Sequence, residues 1–247
     1  MPPEIIARQS VVDVLEHRLR DDILGGTHVP GELLPPEREL AAGYGVTRTT
    51  LKHALSRLEQ AGLLSTRHGI GTRVRDFLRV GGADLLPMLA TRDSGWLTEI
   101  FEVRRHIGAL IARRAAVRRT DRQAARLREV LDAVARAGDG DAAQLADAEV
   151  HRELARATGN RVYLLLTNTL FNAYLPVRGA LRAPFEDPAE AAARLAPVVQ
   201  AVVDGLPEQA ESAAEQYLRA TEELMLASLR PSGRADGDHE RERRHDG

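Results

Sequence analysis

One stretch in the first part of this chain carries five closely spaced motifs: Pro36-Glu-Arg-Glu-Leu-Ala41, Gly45-Val-Thr-Arg48, Leu55-x-x-Leu58, Gly62-Leu63 and Gly69-x-Gly71-Thr72. The pair Pro35-Pro36 blocks a helix before Glu37, so a short helix is expected over residues 37–42. Gly43 and Gly45 can supply the positive φ of a tight turn. The stretch therefore begins with two helices joined by a glycine turn.

The second of these helices is expected over residues 48–61. Thr47 is a good N-cap, and Leu51, Leu55 and Leu58 form one buried stripe at helical spacing. Arg48 then lies at the exposed N-terminal end of the helix. Such an end can enter the major groove of DNA, where an arginine can pair with guanine through two hydrogen bonds.

Residues on both sides of the helix pair complete the pattern. The valines and leucines of residues 10–24 have helical spacing, and residues 63–74 predict a β-hairpin with a small tip and basic residues on both arms. Two helices with a glycine turn, followed by a basic hairpin, form a winged helix-turn-helix.

The charge of the chain is concentrated in this region. The 247 residues have a net charge of −2, yet residues 38–79 carry eight basic and three acidic side chains, so this segment is +5 and the rest is −7. A basic segment in a mildly acidic protein indicates a polyanionic partner. Because phosphates repel carboxylates, Glu37, Glu39 and Glu59 are expected to lie off the DNA face.

Composition excludes several classes of protein. The chain has no cysteine, which rules out disulfides, thiolate zinc sites and cysteine nucleophiles. No apolar run approaches the roughly 18 residues that cross a bilayer, and the N-terminus lacks the features of a signal peptide. We therefore expect a cytoplasmic protein with no membrane partner.

The remainder of the chain predicts an all-helical bundle, because no segment after residue 93 alternates like a strand. We expect a mainly α protein with four parts: a winged helix-turn-helix with a small β-hairpin wing over 1–78, a linker and short helix over 79–92, an all-α effector-binding and dimerisation domain over 93–230, and a disordered tail over 231–247. Helices are expected over 94–118, 120–137, 141–157, 160–182, 188–205 and 207–229. Pro197 should mark a kink or a late helix start.

In residue type and spacing, the motifs between Pro36 and Thr72 resemble the GntR family of bacterial transcription regulators, over about residues 10–75. The later helices resemble the all-α FCD-type effector domain of its FadR-like subfamily. The matching motifs are Glu102-x-Arg104, Asp147-x-x-x-His151 and Thr158-Gly-Asn160. The join after Asp76 and the segment from Val46 to Leu51 are similar to the fatty-acid regulators of that subfamily.

The resemblance implies which residues face double-stranded DNA: Arg38, Thr47, Arg48, Thr49, Thr50 and Lys52, with the wing tip His68-Gly69 reaching toward the minor groove. Simpler explanations exist for two of them. Thr47 is also explained by helix capping, and Arg38 by a solvated surface charge.

Arg104 is the first candidate for an effector site. It falls in the middle of an apolar stripe that includes Ile100 and Ile111, so its guanidinium is expected to be buried. A buried guanidinium needs a partner, because its desolvation costs several kcal/mol. That partner is either the carboxylate or phosphate of a ligand or an internal acid such as Asp147.

Asp147 and His151 are the second candidate, since residues at i and i+4 share one helix face. They are weak candidates for a metal site, which needs more ligands. In the metal-binding branch of the resembled subfamily, later helices supply two further histidines, but the aligned positions here hold Leu195 and Tyr217. A hydrogen-bonded pair without metal is therefore favoured, and a divalent cofactor is disfavoured.

Tyr163, Phe171, Tyr174 and Tyr217 are aromatic residues on otherwise aliphatic helices. Core packing explains them, but the polar tips of Tyr174 and Tyr217 could also orient an effector. Resemblance to the fatty-acid regulators suggests a fatty acyl thioester, whereas the chemistry of the residues indicates only an anionic ligand.

Together these patterns predict a ligand-responsive transcription regulator, expected to act as a repressor. A homodimer would bind a pseudo-palindromic operator, and a small anionic effector would alter the arrangement of its two winged helices. Three alternatives remain: a metal-dependent carboxylate site, a purely structural dimerisation bundle, and an enzyme using Asp147 and His151. The enzyme is disfavoured because the sequence has no nucleophile motif and no phosphate loop.

Overall fold

The computed structural model describes residues 10–229 and divides the chain into two compact units, Met1–Arg92 and Asp93–Gly247. The tail expected over residues 231–247 lies outside the described residues.

The first unit is built on three helices: α1 Val11–Leu24, α2 Glu37–Gly43 and α3 Arg48–Gln60. Ser10 and Asp13 form a capping box at the start of α1, as a polar N-cap favours. Gly45 has a φ of +66° in the turn between α2 and α3, whereas Gly43 is helical. Leu19 of α1 and Leu51 and Leu58 of α3 are completely buried, so α1 and α3 form the core beneath the helix-turn-helix.

The wing is an antiparallel hairpin of strands β1 Leu64–Arg67 and β2 Gly71–Val74. Its tip uses two glycines with positive φ, Gly69 at +77° and Gly71 at +114°. The chain before α2 adds to the outer side of β2, because Leu33 bridges to Arg73. These bonds fix the wing to the start of α2.

After the wing, the first unit ends with two short helices, α4 Phe77–Val80 and α5 Leu86–Arg92. A 3-10 turn over Ala83–Leu85 precedes α5 directly. The guanidinium of Arg92 donates to the carbonyl of Leu24, which attaches the end of α5 to the end of α1.

The second unit is all-helical across its described residues. Its helices are α6 Ser94–Arg118, α7 Asp121–Ala135, α8 Gly140–Ala157, α9 Arg161–Tyr174, α10 Pro188–Val203 and α11 Pro207–Ala227. The most extensive packing joins α6 to α11; α8 lies against α6, α7 and α9. The expected mainly α fold, with a winged helix-turn-helix followed by an all-α bundle, is confirmed.

One expected helix was wrong in its extent, and of the two outcomes expected at Pro197 the late helix start does not occur. The single helix expected over 160–182 ends as α9 at Tyr174 and continues as 3-10 turns over Leu175–Leu181. Pro176 explains this end, because it has no N–H to donate to the preceding turn and its ring crowds that turn. By contrast, α10 does not start late at Pro197 but runs through it, with the proline ring on an exposed face.

Within residues 10–229, no helix combines the length and the apolar character needed to cross a membrane.

Candidate functional site

The N-terminal end of α3 exposes most of the side chains that the family resemblance implied to face DNA. The hydroxyl of Thr47 accepts a hydrogen bond from the Thr50 amide at 3.1 Å, so Thr47 is the N-cap that starts the helix at Arg48. The side chains of Arg48 and Lys52 are 63% and 60% exposed. Thr49 is also exposed.

A surface groove brings the wing and the helix pair together. Its lining includes Arg38 of α2, Arg48 of α3, and His68 and Gly69 of the wing tip. Three separate segments therefore place these four predicted residues around one groove. The remaining predicted residues, Thr47, Thr49, Thr50 and Lys52, lie outside that lining on the N-terminal part of α3.

Glu37 overturns one expectation. We expected this carboxylate to lie off the DNA face, but its Oε2 is 3.4 Å from Nη2 of Arg48 and 3.6 Å from Nζ of Lys52. It also lines the groove described above. The turn between α2 and α3 explains this position, because it brings the first residue of α2 beside the first turn of α3.

Not every basic residue of the positive segment is available to a polyanion. Arg57, near the other end of α3, pairs with Asp13 at 2.5 Å and with Glu16 at 3.2 Å, both on α1. Glu59 accepts a hydrogen bond from the backbone amide of Thr66 at 2.8 Å, which joins α3 to β1. These two charged residues hold the unit together, whereas Arg48 and Lys52 project from it.

The second candidate site is a buried polar cluster in the helical unit. Arg104 of α6 is 5% exposed, and its Nη2 lies 3.8 Å from Oδ2 of Asp147 on α8. Its guanidinium carbon is 5.4 Å from the ring centre of Phe171 and 5.8 Å from that of Tyr174, both on α9. Among the described residues, Nε and Nη2 of Arg104 have no hydrogen-bond acceptor. The arginine thus retains unused donors in an apolar interior.

Asp147 is held from two sides. It is 1% exposed, and the hydroxyl of Tyr217 on α11 donates a hydrogen bond to its Oδ1. Burial, together with the negative charge of Asp147, raises the pKa of Tyr217 well above its ordinary value. Tyr217 therefore remains a proton donor, and Asp147 balances the charge of Arg104.

His151 lies one turn after Asp147, with its Nε2 3.7 Å from Oδ2 of that residue. Burial lowers the pKa of His151 to about 4, because Asp147 only partly compensates and Arg104 adds to the lowering. The imidazole is therefore neutral at pH 7. Its Nε2 has no hydrogen-bond partner within the described part of the chain.

A small cavity adjoins this cluster. Its volume is about 20 Å³, and its polar lining includes Arg104, His151 and Thr167. The rest of the lining is apolar: Ile107, Gly108, Ile111, Leu170, Phe171 and Leu218. A cavity of this size holds about one water molecule. Of the five predicted effector residues, Arg104 and His151 line the cavity, while Asp147, Tyr174 and Tyr217 lie outside its lining.

The cluster offers few metal ligands. Across residues 10–229, no three His, Cys, Asp or Glu side chains come together in a group suited to a metal ion. At the two positions aligned with histidines of the metal-binding branch, Leu195 is completely buried and Tyr217 donates to Asp147.

Sequence reasoning missed two polar residues of the interior. Thr167 lines the cavity, but its hydroxyl donates to the carbonyl of Tyr163 at 2.8 Å. Gln144 is 5% exposed, and both polar atoms of its amide lack hydrogen-bond partners among the described residues. Its spacing of three from Asp147 on α8 was the signal that could have identified it.

Comparisons with known proteins agree with both units. The family model described as bacterial regulatory proteins, gntR family, matches residues 12–74, and the FCD domain model matches residues 99–220. The chain is 36% identical over 230 residues to the "uncharacterized HTH-type transcriptional regulator Rv0494" of Mycobacterium tuberculosis, covering 93% of this chain and 94% of that protein.

It is also 36% identical over 177 residues to the fatty acid metabolism regulator protein of Edwardsiella ictaluri, covering 70% of this chain and 73% of the relative. Among solved structures, it resembles that of Lar, described as controlling the Listeria monocytogenes agr system, with a TM-score of 0.53. That match has 18% identity and covers 90% of this chain and 99% of the other, so it supports the fold alone.

Proposed function

Because this chain belongs to the GntR family of bacterial regulatory proteins and carries an FCD domain after its DNA-binding domain, it is a DNA-binding transcription regulator of the FadR type, and we propose that it is an effector-responsive repressor acting as a homodimer. The family consists of transcription regulators, and the chain is not an enzyme. A regulator of bacterial genes acts at the chromosome, and this supports the proposal of a cytoplasmic protein.

The shared groove carries the DNA-binding part of the proposal. Arg38, Arg48, His68 and Gly69 line it from three segments, and the exposed Lys52 lies on the same helix end as Arg48. Cations and helix-start amides bind phosphates, whereas arginine in the major groove distinguishes guanine. We assign base recognition to Arg48 and the adjacent threonines of α3. The wing tip contacts the minor groove.

Replacing Arg48 with Ala tests this assignment. The probe is a duplex that the wild-type protein selects from a library of random sequence. Arg48→Ala is expected to weaken binding to it by about 1–3 kcal/mol, roughly 5- to 150-fold, and to relax base preference. The control Arg79→Ala removes the same charge from exposed α4 and should preserve the base preference. Unchanged affinity and preference in a folded Arg48→Ala protein would refute the assignment.

Exposed apolar side chains support the homodimer. Helix α6 exposes Val103, Leu110 and Val117 at intervals of seven residues, and α9 exposes Val162 and Leu165, at 57% and 65%. The two helices pack against each other. Apolar surface in contact with water is unfavourable, so we propose that a second copy of the chain covers this face.

A charge at this face tests the dimer. Leu165→Glu is expected to shift the sedimentation coefficient from dimer to monomer and to weaken operator binding, because two half-sites no longer bind together. Leu224→Glu introduces the same charge at an exposed leucine of α11 and should leave the dimer intact. A Leu165→Glu dimer as tight as wild type would contradict the proposed interface.

The unused polar atoms of Arg104 and His151 support an anionic effector. A carboxylate or phosphate can accept from the free donors of Arg104, while the apolar lining of the cavity suits a carbon chain. The similarity to the fatty acid metabolism regulator makes a fatty acyl thioester the first candidate, with a small organic acid next. Since the cavity holds only about one water, binding must widen it, and the effector would favour a state with lower DNA affinity.

A thermal-shift screen with acyl thioesters and small carboxylates tests this role. A true effector at about 100 times its dissociation constant stabilises by about 2.7 kcal/mol and lowers operator affinity. Arg104→Met should abolish both effects, whereas Arg114→Met, an exposed arginine of the same helix, should retain them. If no ligand in the panel changes stability or DNA affinity, the bundle serves only dimerisation.

A further inference from the structure

One carboxylate lies between Arg48 and Lys52, two exposed cations in the N-terminal part of α3. Oε2 of Glu37 is within 3.6 Å of both Nη2 of Arg48 and Nζ of Lys52. A protein selected only for phosphate affinity would gain by losing this charge, because every carboxylate at such a surface repels DNA. The position of Glu37 therefore needs an explanation other than affinity.

Fold stability does not supply that explanation. The side chains of Arg48 and Lys52 are more than half exposed, and ion pairs of this kind contribute little to the free energy of folding. A carboxylate also interacts favourably with the N-terminus of a helix, but Glu39 in the same first turn of α2 can provide that interaction as well as Glu37. Within residues 10–229, Glu39 forms no ion pair that joins α2 to α3. The contact to α3 is specific to Glu37.

We propose that Glu37 is a positioning residue that determines DNA specificity by orienting Arg48. Its carboxylate holds the guanidinium of Arg48 at the groove, in the orientation that meets a base edge rather than a neighbouring phosphate. It also offsets part of the positive charge of Arg48 and Lys52, which reduces binding to DNA of any sequence. Specificity is the ratio of the affinity for the preferred site to the affinity for DNA of any sequence, so both effects raise it.

The inference rests on the proposed role of Arg48 in base recognition, and the experiment separates the two. Wild type, Glu37→Gln, Glu39→Gln, Arg48→Ala and the double variant Glu37→Gln/Arg48→Ala each select duplexes from one random-sequence library. Sequencing of the bound fraction gives base preference at every position. Affinity for the wild-type site and for random duplex is then measured across a salt series.

Glu37→Gln keeps the size of the side chain and removes its charge. We expect tighter binding to random duplex, a salt slope steeper by about one, and a roughly two- to fivefold loss of preference at the positions that Arg48→Ala affects. Glu39→Gln should leave base preference as in wild type. In the double variant, loss of Glu37 should cause no further change in preference, because its effect acts through Arg48.

Three results overturn the inference. The first is that Glu37→Gln has the same base preference and the same salt slope as Glu39→Gln. The second is that Glu37→Gln alters preference at a position that Arg48→Ala leaves intact, which would mean that Glu37 itself contacts a base. The third is that Glu37→Gln changes preference equally with and without Arg48. A separate failure, in which Arg48→Ala retains full preference, would refute the proposed role of Arg48 rather than that of Glu37 alone.

Discussion

Arg48 and Arg104 are the same residue type in opposite settings. Arg48 is 63% exposed with its Nη2 3.4 Å from Glu37, whereas Arg104 is 5% exposed with its Nη2 3.8 Å from Asp147. The distances are similar, but the surroundings differ. Water screens the pair of Arg48 and Glu37, so the positive charge of Arg48 remains available to a polyanion. Burial has removed water from the pair of Arg104 and Asp147, so replacing either partner leaves the other as an uncompensated charge and destabilises the fold.

Stability should be most sensitive to substitution at the buried Arg104–Asp147 pair. Asp147→Ala leaves the charge of Arg104 uncompensated in the interior, and we expect it to lower the free energy of unfolding by about 3–5 kcal/mol. Urea denaturation measures this change. Glu39→Ala, which removes an exposed carboxylate, should fall within about 0.5 kcal/mol of wild type. A similarly small loss in Asp147→Ala would show that the two environments do not differ as described.

Two tyrosines that donate to carboxylates extend the comparison. Tyr217 donates to the buried Asp147, and the half-buried Tyr44 donates to Asp22 at 2.9 Å. We expect Tyr217→Phe to cost about 1.5–3 kcal/mol, because Asp147 loses a hydrogen bond that water cannot replace. Tyr44→Phe should cost about 1 kcal/mol or less, since Asp22 can bind water. Denaturation of both variants decides the order, and a larger cost for Tyr44→Phe would contradict it.

The buried histidine predicts a pH dependence. The pKa of His151 is about 4 when folded and near 6.5 when unfolded, so the unfolded chain binds more protons between these values. Stability should therefore fall as pH decreases from about 6.5 toward 4, with a slope from this group of at most about 1.4 kcal/mol per pH unit.

His151→Gln removes the titrating group while leaving Asp147 and Arg104 around it. Subtracting the stability of this variant from that of wild type at each pH isolates the contribution of His151. A difference that is flat over this range would show that the imidazole is not held neutral.

Stability should be least sensitive to substitution at the exposed Arg48–Glu37 pair. Glu37→Gln should change the free energy of unfolding by less than about 1 kcal/mol, because solvent screens the ion pairs that it removes. Thermal denaturation in low and high salt checks this value. Stability that falls by several kcal/mol would give Glu37 a structural role and remove the main argument for its role in specificity.

The winged helix-turn-helix could be predicted closely because its signals are local. Thr47 as N-cap, Gly45 as turn residue and the leucine stripe of α3 each act within a few residues of chain, and the structure confirms all three. The end of α9 was missed although Pro176 is also a local signal, because the apolar pattern continues past it. The continuing apolar periodicity therefore led to a predicted helix that extends beyond the observed end of α9.

The buried site could be predicted only in part. The apolar stripe around Arg104 predicted its burial correctly. The i, i+4 spacing placed Asp147 and His151 on one face, as observed. Their partners could not be derived in the same way, because Tyr217 lies 70 residues beyond Asp147 and the two meet only because α8 and α11 both pack against α6.

The helices, the glycine turn, the hairpin and the basic character of the first unit could be predicted from the sequence, because they depend on backbone preferences and on charge that is counted along the chain. Only the folded chain shows that Glu37 lies between Arg48 and Lys52, that Tyr217 donates to Asp147, and that the cavity beside Arg104 is small. These features depend on distance and desolvation between residues from different elements, which the packed chain defines and its linear order does not.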